Sequence, residues 1–182
     1  VTELAPSAAA EWREPNSLLP LRWGSYSGRQ LVGAALVLLG AFLIVQTTAY
    51  TTLIGWLGSA MHVAGWAILP ARGGRRVLAA PLSMLAFWLM LLGPNLAWLT
   101  SASLALWLLV RRRPGIAYVI VPLPALIAVA GLVVFGPFLN RTAFYAVVFA
   151  VAAACAWAAR NIAVRERTRS IGSKGEKPDF PR

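Results

Sequence analysis

Residues 77–110 form a run of 34 without one charged side chain. An arginine cluster closes each end: Arg72, Arg75 and Arg76 before the run, Arg111, Arg112 and Arg113 after it. As a single helix the run would measure about 51 Å at roughly 1.5 Å per residue. A bilayer core is only about 30 Å thick. One crossing therefore cannot use the whole stretch. Near its middle stand Gly93, Pro94 and Asn95, residue types that favour a turn. The run predicts a helical hairpin with both arginine ends on the same side of a membrane.

The remainder of the chain repeats this arrangement. Residues 31–69 make a second run of 39 with no formal charge, broken in its middle by Gln46, Thr47, Thr48, Tyr50, Thr51 and Thr52. A third apolar region runs from Gly115 to Val164, interrupted by Gly136, Pro137 and the polar group Asn140, Arg141 and Thr142. The expected fold is an all-α integral membrane protein. It has six transmembrane helices in three hairpins, at about 31–48, 52–69, 77–92, 95–110, 115–135 and 142–164. Pro122 and Pro124 lie inside the fifth of these and should kink it, freeing the carbonyls of Tyr118 and Ile120. Residues 1–30 read as a polar cytoplasmic segment, disordered to about Asn16 and interfacial from Leu18. Residues 165–182 read as a disordered basic cytoplasmic tail.

Composition agrees with this class. The chain is 59% hydrophobic and 13% charged, with a mean hydropathy of +0.68, and long apolar blocks of this kind mean membrane spans. Its net charge of +11 would suggest nucleic acid in a soluble domain. Here the arginines bracket the apolar runs instead, as cytoplasmic loops do, so no nucleic-acid partner is expected. With six spans and the amino end inside, the outer turns hold only Arg141. A five-span reading would place one arginine cluster on the wrong side. Arginine outnumbers lysine 15 to 2, a bias of GC-rich bacterial genomes, which points to the bacterial cytoplasmic membrane. The basic tail, with Arg165, Arg167, Arg169 and Lys174, can bind anionic lipid at the inner face.

Chemistry-bearing residues are few. No Asp or Glu occurs between Glu14 and Glu166, and His62 and Cys155 are the one histidine and the one cysteine. That set lacks the carboxylates of a two-metal site, the four ligands of structural zinc and the paired groups of acid–base catalysis. No cofactor is expected. A serine–histidine dyad of the six-span protease type is also excluded. Gly58-Ser59-Ala60 lacks the following glycine, and His62 shares a helix with Ser59.

His62 should lie near the bilayer midplane, where an ionisable residue is a functional candidate by default. Ser59, Ser83, Ser103 and Pro122 come to a similar depth when counted from the helix ends. Together these five could form a midplane polar site, or His62 could serve as a neutral hydrogen-bonding link between helices. Ala146, Ala150, Ala154 and Ala158 recur every four residues and mark a helix-packing face. Two functional readings follow. The first is a non-catalytic scaffold or accessory subunit, with a membrane-protein partner or a second copy of itself. The alternative is a small permease or channel-like carrier for an uncharged or anionic solute.

Overall fold

The computed structural model describes residues 24–71, 73–136 and 140–174. Six α-helices occur among them: α1 (Tyr26–Val45), α2 (Thr52–Ile68), α3 (Gly73–Leu89), α4 (Leu99–Val110), α5 (Pro122–Phe135) and α6 (Arg141–Lys174). There is no strand among the described residues. Four helical stretches are long and apolar enough to cross a membrane: Tyr26–Val45, Gly74–Leu92, Gly115–Phe135 and Arg141–Glu166. Two shorter apolar stretches, Thr52–Ile68 and Pro94–Val110, lie between them. The most apolar of the long stretches, Gly115–Phe135, is also the least buried, at 11%. Water would oppose such an arrangement, since exposed apolar surface is what folding removes; lipid does not.

Helix ends follow backbone chemistry more than hydropathy. α1 begins at Tyr26, ahead of the expected Leu31, because the Ser25 side chain accepts a hydrogen bond from the Gly28 N–H at 3.2 Å and caps the helix. α3 begins at Gly73, so Arg75 and Arg76 sit in its first turn and not in a loop. α6 starts from Asn140, whose Oδ1 accepts from the Ala143 N–H, and runs to Lys174. The tail expected to be disordered from Arg165 is thus helical for ten more residues. Arginine and glutamate are good helix formers, and extending an existing helix needs no new nucleus. The expected interfacial segment from Leu18 lies mostly outside the described residues, as do Pro137 and the last part of the tail.

The fifth expected span differs most from expectation. Gly115–Ile120 is a 3₁₀-helix, and α5 starts with Pro122 in its first turn. Proline suits that position because its missing N–H would have no partner there. The Tyr118 carbonyl is not freed; it accepts from the Val121 N–H at 3.0 Å. The tighter 3₁₀ winding absorbs the missing donors without opening the helix. At the hairpin tip, Gly93 adopts φ 155° and ψ 162°, a conformation that essentially only glycine holds. At the other end of α4, Arg113 N–H bonds the Leu108 carbonyl and Arg112 N–H the Leu109 carbonyl. With Arg112 at φ 53°, this is a Schellman ending.

Neighbouring helices run antiparallel. Gly33 faces Gly65 and Leu69, Gly40 faces Gly58 and His62, and Thr47 faces Gly55, so α2 descends as α1 rises. A Cβ built on Gly40 would stand 2.5 Å from both the Gly58 carbonyl oxygen and the His62 nitrogen. The two backbones touch, and nothing larger than glycine fits. α3 and α4 pair through Arg75 and the Leu109 carbonyl at one end and Met90 and Thr100 at the other. α5 and α6 meet at Gly131 and Phe144.

Three apolar clusters hold the bundle. At one end Ala41, Ile44 and Val45 of α1 meet Tyr145, Val148 and Phe149 of α6. At the other end Val37, Trp66, Leu69, Ala79 and Val110 join the first four helices. Leu104, Leu108, Ala117, Cys155 and Ala159 separately join α4, the 3₁₀ segment and α6.

Arginines cap helix ends throughout. Arg29 Nε donates to the Ile68 carbonyl at 3.0 Å, and Arg76 to those of Ala67 and Leu69. Arg75 donates to the Leu109 carbonyl. All of these lie at one end of the bundle, where Arg111 also stacks on the Tyr26 ring, 5.7 Å from its centroid. At the opposite end Arg141 donates to the Val45 carbonyl at 2.7 Å. The guanidinium groups of Arg29, Arg75, Arg76 and Arg141 satisfy carbonyls that a helix C-terminus leaves open, and their charge favours that pole of the dipole.

Candidate functional site: a buried polar link around His62

His62 has no solvent exposure. Gly58 and Gly65 flank it on α2 and bring α1 close enough for its backbone to reach the ring. Nδ1 lies 3.0 Å from the Val37 carbonyl oxygen. A carbonyl can only accept, so Nδ1 carries the proton. Nε2 accepts the Trp66 Nε1–H at 3.1 Å and lies 3.1 Å from Ser83 Oγ. With Nε2 unprotonated, the Ser83 hydroxyl is the donor in that contact. The ring is therefore neutral imidazole, tied to α1, α2 and α3 at once. Phe87 packs edge-on against it, with centroids 5.4 Å apart.

Ser59 belongs to a separate node. Its hydroxyl donates to the Gly55 carbonyl at 2.8 Å and accepts from Trp88 Nε1–H at 3.0 Å. This is a second bond between α2 and α3, one turn from the first. Ser103 is buried on α4, and its Oγ has no hydrogen-bond partner. Pro122 is exposed, and it is Pro124 that lies buried. Of the five residues expected at one midplane site, the structure joins only His62 and Ser83. Ser59 is linked to α3 on its own, and Pro122 faces outward.

Three participants were not legible from spacing. Trp66 and Trp88 act through indole N–H groups that look apolar in a hydropathy reading, although buried tryptophans usually find a partner. Ser101 Oγ accepts from the Ala125 N–H at 2.9 Å, so α4 caps the start of α5 from outside. The two prolines near that start were the available signal, because they advertise a disturbed helix beginning.

The small-residue face of α6 also differs from expectation. Ala146, Ala150 and Ala154 are exposed and Ala158 is partly buried. The face that packs inward carries Tyr145, Val148, Phe149, Ala152, Cys155 and Ala159. The alanine stripe thus looks away from its own bundle.

The Ser83–His62 pair has the spacing of a nucleophile and its base. Two observations weigh against that chemistry. Trp66 N–H competes with the Ser83 hydroxyl for the single Nε2 lone pair, and Ser83 is 1% exposed. Ser83, Ser103, Thr100 and Phe87 do border a cavity of about 380 Å³ that opens between α1 and α6. Its wall is otherwise apolar. Among the described residues no three metal-ligating side chains gather.

Comparison with protein-family models, with curated proteins and with solved structures found no match.

Proposed function

We propose that this chain is a six-span, non-catalytic protein of the bacterial cytoplasmic membrane, serving as a scaffold or accessory subunit of a membrane complex. One observation carries the reading: the interior histidine is spent on holding three helices together. A carrier or an enzyme would need that group, or another like it, turned toward a ligand. The outward alanine stripe of α6 supports the same reading, since small residues let a second helix approach closely.

The six-span topology draws support from the antiparallel pairs and from the arginines. Arg29, Arg75, Arg76 and Arg111 share one end of the bundle, and Arg141 stands at the other. By the positive-inside rule the crowded end faces the cytoplasm. The two shorter helical stretches can span with local thinning of the bilayer. A reporter fused after Asn95 should then lie outside and one after Arg113 inside; the opposite pattern overturns the topology.

The subunit reading is tested by mild-detergent purification of the tagged protein from its own membranes. A stoichiometric protein partner is expected, and a lone monomer would sink the idea. A fluorophosphonate probe should leave Ser83 unmodified; labelling there would replace the scaffold with an acyl-transfer enzyme. The carrier alternative keeps one observation in its favour, the cavity beside Ser83 and Ser103.

A further inference from the structure

We draw no further inference here: the strongest candidate, the cleft between α1 and α6 beside Ser83 and Ser103, has no charged side chain in its wall and is matched by a second apolar cleft between α3 and α4, and nothing in the structure shows what covers either.

Discussion

His62 meets a carbonyl, a hydroxyl and an indole N–H within about the same reach, and each contact constrains the others. Replacing it with leucine strands the Trp66 N–H and the Ser83 hydroxyl where no water can serve them. Leaving a buried polar group unsatisfied costs about 1–3 kcal/mol, so His62→Leu should lose about 2–4 kcal/mol. Ser83→Ala is milder. It removes a single interhelical bond while Nε2 keeps Trp66, and such bonds in membranes average about 0.6 kcal/mol. Unfolding of both variants in mixed detergent micelles measures the difference. Equal losses would mean that the histidine is not the hub. At this scale the sequence singled out His62 by chemistry alone, since a lone ionisable residue in a long apolar run is visible at once. Its partner was not visible. Ser59, Ser83 and Ser103 share a depth, and depth along a helix says nothing about the direction a side chain faces across the bundle.

At the scale of elements, the α1–α2 seam and the start of α5 decide most. Gly33, Gly40, Gly58 and Gly65 let the backbones of α1 and α2 touch. Gly40→Val would drive methyl groups into the backbone of Gly58 and His62. Overpacking costs typically 1–3 kcal/mol, and a rigid backbone neighbour puts this case at the upper end, about 3 kcal/mol. Ala35→Val, one face away and exposed, should change stability by less than about 0.5 kcal/mol. Thermal unfolding in detergent compares the pair, and similar melting points would refute the seam. Ser101→Ala should cost about 1 kcal/mol, the usual worth of a helix cap, and should speed hydrogen exchange at the Ala125 amide. Slow exchange there in the variant would show that α5 does not depend on α4 for its start. Apolar runs and turn residues are local signals, so α2 and α4 begin and end within four residues of expectation, whereas α5 begins seven residues late and α6 ends ten residues late. The ends moved wherever a cap or a helix-forming charged segment outlasted the apolar run, at Ser25 and beyond Arg165.

At the scale of the whole molecule, the apolar surface points outward and glycine, serine and histidine point inward. Leu126, 62% exposed near the middle of the Gly115–Phe135 stretch, tests what that surface faces. In lipid, Leu126→Lys should cost about 2.5–3.5 kcal/mol and lower the membrane-inserted fraction of the expressed chain. On a water-facing surface the same change would stay within about 0.5 kcal/mol, and unchanged insertion would contradict a lipid-facing α5.

The amino-acid sequence by itself determined that the chain is helical, apolar and bracketed by arginines. Those properties follow from the transfer cost of each residue and from chain length against bilayer thickness, which need no knowledge of neighbours. Only the tertiary structure decided that the glycines of α1 and α2 form the tight seam. The same holds for the alanine stripe of α6 looking outward, and for His62 reaching Ser83 instead of Ser59. In water the polar face of a helix announces the outside. In lipid both faces are apolar, so periodicity loses its direction, and the choice of buried face passes to shape and to a few hydrogen bonds across the bundle.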